Sequence, residues 1–258
     1  SSHSKNLYDI LSLQNEVVVY NFSRQYPDFL FPGQTQYHNN NKISKKNNAV
    51  RLLDSMNPFS WRKVADSISK NKFDRVIFRF WNPFFILCYV SIIKRLKKSN
   101  KNIRVYSICD NIIPHEKIIP QNFFVKLFLN KLDGIIVMSN SVEKELLELD
   151  KSYNYKKLFL PIINNLGDPL DYYASKNEIK LDSDKKIFLF FGLIRKYKGL
   201  DVFLNAINRI DTDLLNKATF LIVGENYESI DKYKNILNKR RKSHVKWITK
   251  YIPDNNVN

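Results

Sequence analysis

The sequence from residue 188 to residue 201 reads Phe-Leu-Phe-Phe-Gly-Leu-Ile-Arg-Lys-Tyr-Lys-Gly-Leu-Asp. An apolar run that stops at Gly192 predicts a buried strand, and the residues from Gly199 onward predict a helix. The connecting loop holds Arg195 and Lys198, so two cations precede a helix N-terminus, where unpaired amides and the helix dipole favour an anion. This stretch therefore predicts an α/β unit with a phosphate-binding loop. The alternative is a solvated basic loop.

The residues after this stretch continue the alternation of helices and strands. Helices are predicted over 199–208 and 227–239, and strands over 219–223 and 245–248. Short apolar strands separated by helices are typical of a parallel sheet that is covered by helices. A Rossmann-like sheet has about six strands, so we expect this domain to be incomplete.

The residues before the stretch show the same alternation. Strands are predicted over 17–22, 75–80, 103–109 and 134–138, and helices around 7–11, 61–68, 82–98, 122–131 and from Ser141. Residues 25–48 predict a long loop, and the polar segment 164–186 predicts a linker. We therefore expect an α/β fold with two Rossmann-like domains, residues 1–165 and residues 166–258, the first of which lacks its opening strand.

The net charge of the chain is +17, with lysine-rich clusters at 42–46, 94–101 and 239–242. A basic surface attracts polyanions, such as nucleic acid, an anionic membrane face or a phosphorylated substrate. A general lysine-rich coding bias produces the same charge. Nucleic-acid binding remains an alternative, but the aromatic residues fall in predicted core elements rather than between exposed cations, so we do not expect nucleic acid as a partner.

The two cysteines and the apolar segments bear on the compartment. Cys88 and Cys109 lie in apolar runs, without the spacing of a metal site, as is typical of reduced core residues in a cytosolic protein. No secretory signal opens the sequence. The most apolar run, 83–93, is too short to span a bilayer. We therefore expect a cytoplasmic protein, with any attachment to the inner face of the cell membrane being peripheral.

A second polar segment follows the predicted strand 103–109 and reads Asp110-Asn-Ile-Ile-Pro-His-Glu116. Ligands of open α/β sheets bind at the carboxyl ends of the strands, which is where this segment begins. Asp110, His115 and Glu116 are therefore candidates for orienting or deprotonating a hydroxyl group. Alternatively, Asp110 and His115 cap the turn.

Five segments resemble, in the same order, the motifs of the group 1 retaining glycosyltransferases. These enzymes are of the family 4 type and have the GT-B fold. Residues 191–201 look like the motif that binds the donor phosphates, and residues 110–116 resemble a segment of the acceptor-side domain. The other similar segments are 21–27 with 31–33, 223–225 and 251–254.

This resemblance implies that the protein moves a sugar from a nucleotide-diphosphate donor to a hydroxyl acceptor with retention of configuration. Arg195 and Lys198 would hold the diphosphate of a UDP- or GDP-linked sugar, in a donor site that includes Gly192, Gly224 and Tyr251. The catalytic residues Asp110, His115 and Glu116 would face the acceptor. The family implies a sugar or lipid-linked acceptor, such as a polysaccharide or glycolipid precursor, and an anionic membrane surface as a further partner.

We expect no metal and no separate cofactor, because the nucleotide-sugar is a substrate and the two cations supply the positive charge. The pairs Asp182-Ser-Asp184 and Asp211-Thr-Asp213 match the common Asp-x-Asp pattern, but neither follows a predicted strand. Relatives carry a Glu-x7-Glu pair in the second domain, and this sequence has no glutamates at that spacing. The alternative is therefore a catalytically degenerate module that binds a nucleotide without turnover.

Overall fold

The computed structural model describes residues 2–27, 49–113, 121–160, 169–182 and 184–252. The described residues up to 160 belong to one compact unit, and those from 169 onward belong to a second. Both units combine helices with parallel strands, which confirms the predicted α/β fold class. The predicted domain boundary, between residues 165 and 166, lies outside the described residues.

The first unit contains a two-stranded and a four-stranded parallel sheet, with strand orders β1-β2 and β3-β4-β5-β6 in its described part. Its strands are β1 (Val19–Arg24), β2 (Ala49–Asp54), β3 (Arg75–Phe80), β4 (Arg104–Cys109), β5 (Gly134–Val137) and β6 (Tyr155–Lys157). Its helices are α1 (Ser2–Leu11), α2 (Pro58–Lys70), α3 (Ile86–Ser99), α4 (Gln121–Leu129) and α5 (Asn140–Leu149).

Local capping explains where the helices of the first unit begin. The side chain of Asn57 accepts a hydrogen bond from the amide of Phe59, and Pro58 occupies the first turn of α2, where its missing N–H costs nothing. Ser139 caps α5 through the amide of Val142, so this helix begins just before Ser141, its predicted start.

The core of the first unit explains the apolar run of α3. Seven residues of α3 are buried, on more than one face, because α3 packs against both α2 and α4. Its neighbours include the buried rings of Phe80, Phe85 and Phe128. The run that resembles a membrane segment in composition is therefore an interior helix.

The second unit contains a three-stranded parallel sheet in the part that the structure describes, in the order β7-β8-β9. Its strands are β7 (Lys186–Phe191), β8 (Ala218–Val223) and β9 (Val245–Ile248). Its helices are α6 (Tyr172–Glu178), α7 (Leu200–Arg209), α8 (Thr212–Asn216) and α9 (Ile230–Lys234), and 3₁₀ turns lie at 196–198 and 239–244. Leu200, Leu204 and Ile207 of α7 are buried in one cluster with Phe220 and Ile222 of β8.

The predicted helix over 227–239 was wrong in extent. Helix α9 covers only its middle, because Asn208 of α7 takes over the backbone groups that would continue it. The side-chain amide of Asn208 donates to the carbonyl oxygen of Ile236 at 2.8 Å and its oxygen accepts from the amide of Asn238 at 3.0 Å. These tertiary hydrogen bonds replace the helical ones.

The segment predicted as a linker contains helix α6. Asp171 caps this helix by accepting from the amide of Ala174 at 2.9 Å. Lys176 is buried, with 3% of its surface exposed, and donates to the carbonyl oxygen of Lys185 at 2.9 Å. Lys246 of β9 donates to the carbonyl oxygen of Ile179, at the end of the helix. The polar residues of this segment therefore cap and dock a short helix, and this part of the segment is not a free linker.

Candidate active site

The loops that follow the strands of the second unit meet at the carboxyl edge of its sheet. The amide of Gly192, after β7, donates to the carbonyl oxygen of Val223 at 3.0 Å, and the amide of Gly224, after β8, donates to that of Ile248 at 2.9 Å. The parallel ladder therefore extends one residue past each strand. Ligands of open α/β sheets bind outside this edge.

The residues Gly192 and Gly224 allow the two loops to approach closely. Their φ angles are 128° and 143°, a conformation that residues with a Cβ atom rarely adopt. A Cβ atom on Gly224 would overlap the carbonyl group of Gly192, with its carbon only 2.7 Å away. Both predicted glycines are thus needed for the backbone at this edge.

The loop between β7 and α7 is fixed by the loop after β8. The amide of Ile194 donates to the carbonyl oxygen of Glu225 at 2.9 Å, and the amide of Tyr227 donates to that of Ile194 at 3.1 Å. The amide of Lys196 donates to Oε1 of Glu228 at 2.7 Å. The cationic loop therefore has a defined conformation in spite of its exposed position.

Glu228 is held in this position from helix α9 through its second carboxylate oxygen. Its Oε2 accepts from Nζ of Lys232 at 2.8 Å and from the hydroxyl of Tyr233 at 3.2 Å. The hydrogen bond from Lys232, followed by that of the Lys196 amide and others, lowers the pKa of Glu228 against the opposing effect of burial.

The two predicted cations have different surroundings. The guanidinium carbon of Arg195 lies 4.5 Å from the ring centre of Tyr227, which is a cation–π contact. Lys198 is exposed, with its Nζ 5.3 Å from the ring centre of Tyr197. Lys196 adds a third positive charge that the sequence-based prediction did not use.

Helix α7 begins directly after these cations. Its N-cap position is Gly199, in the left-handed conformation with φ 76°, and a glycine offers no side chain to cap the helix. The first amides of α7 therefore present the positive end of the helix beside a loop with three cations, an arrangement that suits a diphosphate. Asp201, in the first turn of α7, is a negative charge that offsets part of the positive charge of this loop.

Tyr251, the remaining residue of the predicted donor site, follows β9 and is 48% exposed. The second unit thus places five predicted residues in the loops after its three strands, namely Gly192, Arg195, Lys198, Gly224 and Tyr251. A role in ligand binding remains a prediction for each of them.

In the first unit, Asp110 is held by an arginine that the sequence-based prediction missed. Nη2 of Arg79 lies 2.7 Å from both Oδ1 and Oδ2 of Asp110. The two side chains are 21% and 30% exposed, so the pair is reachable from solvent. In the parallel register Phe80 lies opposite Cys109, and this brings the two strand ends together. The sequence places an arginine near the end of one predicted strand and an aspartate directly after the next strand, and this pattern would have predicted the pair.

The loop after Asp110 is anchored from helix α5. Oε2 of Glu145 accepts from the amides of Ile112 and Ile113 at 3.2 and 3.1 Å. This fixes the start of the segment that carries the other two predicted catalytic residues. His115 and Glu116 themselves lie outside the described residues.

A second ion pair lies at the carboxyl ends of β1 and β2. Arg24 and Asp54 are 2.8 Å apart, and Oδ1 of Asp54 also accepts from the amide of Met56 at 2.9 Å. Nearby, the indole N–H of Trp81 donates to the hydroxyl of Tyr26 at 3.3 Å. The strand ends of this unit therefore carry both charged and aromatic side chains.

The comparison with protein families found a match in the second unit. The family model described as glycosyl transferases group 1 matches residues 172–258, a segment that includes α6 and the strands β7, β8 and β9. This segment is similar to the group 1 glycosyltransferases. No curated protein matches the sequence significantly.

Solved structures of glycosyltransferases share the GT-B fold of the chain. The crystal structure of WaaG, a glycosyltransferase involved in lipopolysaccharide biosynthesis, is similar over 98% of this chain with a TM-score of 0.62 and 12% identity. An α,α-trehalose-phosphate synthase (UDP-forming) from Burkholderia xenovorans, in complex with glucose-6-phosphate, covers 75% of the chain with a TM-score of 0.51 and 13% identity. The chain spans 66% and 53% of the lengths of these two proteins.

The two Asp-x-Asp pairs differ in their surroundings. Oδ1 of Asp182 accepts from the amide of Asp184 at 3.1 Å, whereas Asp211 stands at the N-cap position of α8 without a capping hydrogen bond from its side chain. Within the described ranges, no group of three or more His, Cys, Asp or Glu residues could hold a metal ion. No helix in the same ranges is long and apolar enough to cross a membrane.

Proposed function

We propose that the protein is a retaining glycosyltransferase that moves a sugar from a UDP- or GDP-linked donor to a hydroxyl group of a sugar or lipid-linked acceptor. The acceptor class we propose is a polysaccharide or glycolipid precursor. The match of residues 172–258 to the family model supports glycosyl transfer. The retaining stereochemistry, the donor and the acceptor are proposals that rest on the motif resemblance.

One observation carries this proposal: a cationic loop at the carboxyl edge of a parallel sheet, followed by a helix without a capping side chain. Arg195 can bind two phosphate oxygens at once, and Lys198 adds a point charge. When the sugar–phosphate bond breaks, negative charge builds up on the departing diphosphate. Fixed cations and helix amides at that position stabilise the transition state more than the ground state.

The first unit would supply the acceptor side of the reaction. Arg79 holds the carboxylate of Asp110 in place, with Nη2 contacting both oxygens, so that Asp110 can accept a hydrogen bond from a sugar hydroxyl in one orientation. His115 and Glu116 are proposed to act beside it on the hydroxyl proton. Metal independence is part of the proposal, because the charge of the leaving group would be met by Arg195 and Lys198.

A thermal-shift panel with UDP, GDP, ADP and their common sugar conjugates tests the donor site. A ligand at 100 times its dissociation constant adds about 2.7 kcal/mol to the stability of the folded state. We expect a shift with nucleotides of one base, and its loss in the Arg195→Ala, Lys198→Ala variant. The matched control is the Arg240→Ala, Lys242→Ala variant. It also removes one arginine and one lysine, but from the exposed turn that precedes β9. This turn lies at the edge of the sheet where β9 begins, and the proposed donor site lies at the edge where the strands end.

Each outcome of the panel has a distinct meaning. Loss of the shift only in the loop variant supports the donor site, whereas equal loss in the control points to unspecific attraction by the basic surface. Random-sequence RNA that binds more tightly than any nucleotide would support the nucleic-acid alternative. Nucleotide binding without release of the nucleoside diphosphate from any sugar conjugate would support the degenerate module.

Peripheral attachment to the inner face of the cell membrane is the proposed location. The net charge of +17 and the lipid-linked acceptors of the family support it. Sedimentation with anionic vesicles at low salt is the expected result, and neutral vesicles serve as the control. Failure to sediment with either would remove this part of the proposal.

A further inference from the structure

The loop after β8 brings an aromatic ring against one of the proposed donor-binding cations. The guanidinium carbon of Arg195 lies 4.5 Å from the ring centre of Tyr227. The contact joins residues that are 32 positions apart in sequence, and the parallel pairing of β7 with β8 brings their loops together. Tyr227 lies outside the motif-like segments 191–201, 223–225 and 251–254.

The position of Tyr227 is fixed by the backbone on which it stands. Its amide donates to the carbonyl oxygen of Ile194 at 3.1 Å, directly before Arg195, and Ile194 forms a parallel bridge with Asn226. The next residue, Glu228, holds the amide of Lys196 at 2.7 Å. The ring and the arginine are therefore carried by backbones that are hydrogen-bonded on both sides of the contact.

The protonation state of Tyr227 is compatible with its contact with the guanidinium of Arg195. Burial raises the pKa of the Tyr227 phenol, assisted by the charge of Glu225 and opposed by the charge and a hydrogen bond of Arg195. The phenol thus stays neutral near neutral pH. It presents an uncharged ring and does not compete with a phosphate for the guanidinium charge.

The contact with Tyr227 leaves some of the donors of Arg195 for a ligand. A guanidinium has five N–H groups, and Tyr227 engages Arg195 through its ring and one hydrogen bond. The Nε of Arg195 is buried and has no hydrogen-bond partner in the described part of the chain. The N–H groups of the terminal nitrogens that Tyr227 does not engage are then the donors that remain for an anion. A free arginine loses side-chain entropy when a ligand fixes it, and a ring that fixes it beforehand reduces that loss on binding.

We propose that Tyr227 is a positioning residue of the donor site, which orients the guanidinium of Arg195 for the diphosphate of the nucleotide-sugar. This inference rests on the proposed function. A purely structural role of Tyr227, as filler between two loops, is the competing explanation. The two differ in whether the effect of Tyr227 on ligand affinity passes through Arg195.

A double-mutant cycle on nucleotide affinity separates these explanations. Calorimetric titration with UDP, GDP and inorganic pyrophosphate would be carried out on the full chain and on Tyr227→Leu, Tyr227→Phe, Arg195→Ala and the Tyr227→Leu, Arg195→Ala pair. We expect Tyr227→Leu to weaken the binding of the preferred nucleotide and of pyrophosphate about three- to ten-fold. Tyr227→Phe, which keeps the ring, should restore most of the affinity. In the Arg195→Ala background, Tyr227→Leu should change nothing further.

A second substitution covers the case in which Tyr227→Leu does not fold. Arg195→Lys keeps the charge but loses the planar group that stacks on the ring, so we expect it to bind as weakly as Tyr227→Leu. Wild-type affinity in either Tyr227→Leu or Arg195→Lys would overturn the inference, as would an equal loss from Tyr227→Leu with and without Arg195. In all these cases the proposed function stands. If the unaltered chain binds none of the three probes, the proposed donor site itself is wrong and the inference falls with it.

Discussion

The carbonyl group of Gly192 occupies the space that a Cβ atom of Gly224 would need. Its carbon lies 2.7 Å from that position, and its oxygen lies closer still. This contact places the ends of β7 and β8 side by side at the proposed donor site. The close approach requires glycine at position 224, whereas at position 192 the positive φ alone favours glycine.

Gly224→Ala should therefore destabilise the second unit more than Gly192→Ala does. Both substitutions force a Cβ atom onto a backbone with φ above 120°, which costs about 1–3 kcal/mol. Only Gly224→Ala adds an overlap with backbone, since a Cβ atom on Gly192 meets nothing within 4 Å. We expect the difference between the variants to exceed about 1 kcal/mol.

Urea unfolding in a Trp61→Phe, Trp81→Phe background measures this difference through the fluorescence of Trp247, which lies on β9 of the second unit. Equal unfolding free energies for the two alanine variants would mean that the loops separate at little cost. In that case the close approach would not be a constraint on the site.

Removing Arg79 should reveal a coupling with Asp110 in the first unit. Hydrogen bonds to charged groups contribute more than neutral ones, but the two side chains are 21% and 30% exposed and solvent screens the pair. We expect a coupling energy of about 1 kcal/mol from Arg79→Ala, Asp110→Ala and the double variant. Arg79→Lys should keep part of it, since lysine keeps the charge but not the planar fork.

Urea unfolding in a Trp247→Phe background follows the first unit alone, through Trp61 and Trp81. A coupling below roughly 0.3 kcal/mol would mean that the ion pair is merely a surface contact. If the pair positions Asp110 for the acceptor, Arg79→Ala should also lower glycosyl transfer while leaving the affinity for the donor nucleotide unchanged.

Much of the second unit could be predicted because its signals are local. The strand β7, the loop with Arg195 and Lys198, and the start of α7 follow one another within the 15 residues from Lys186 to Leu200, and a glycine marks each transition. Each element is specified by neighbours in the sequence. The prediction of the loop as an anion site used the same local information.

The features that sequence reasoning missed depend on distant partners. Arg79 looks like an ordinary strand residue until the pairing of β3 with β4 brings it to Asp110. The helix predicted over 227–239 is cut short by Asn208, which is a tertiary partner. Helix α6 has few apolar residues, and its docking depends on the buried hydrogen bond of Lys176. Propensity and periodicity do not contain such contacts.

Glu228→Gln should destabilise the second unit in a pH-dependent way. The hydrogen bond from Lys232 and that from the amide of Lys196 lower the pKa of Glu228 from its usual 4.5. The carboxylate therefore stabilises the fold above pH 4.5, and this contribution is lost as the pH falls through the lowered pKa. We expect the variant to be less stable by about 1 kcal/mol at neutral pH, and we expect this difference to shrink as the pH falls below 4.5 and through the lowered pKa.

Thermal unfolding from neutral to acid pH checks this expectation, with Glu16→Gln as the control. Glu16 is exposed and lies in the first unit. The difference in stability between Glu16→Gln and the wild type should therefore be the same at every pH. A constant difference between Glu228→Gln and the wild type across the range would show that the charge of Glu228 does not hold the two loops together.

The cysteines offer a separate measure of the first unit. Cys88 and Cys109 are 1% and 0% exposed, and burial raises the pKa of each thiol to about 12. Thiol reagents attack the thiolate, so at mildly alkaline pH both residues should be inert while the first unit is folded. Both should react once urea unfolds it, independently of the Trp247 signal from the second unit. A Lys101→Cys variant, with its thiol on an exposed turn, should react at once and calibrates the reagent. Rapid reaction of the wild type without urea would mean that the core between α3 and β4 opens far more readily than its packing indicates.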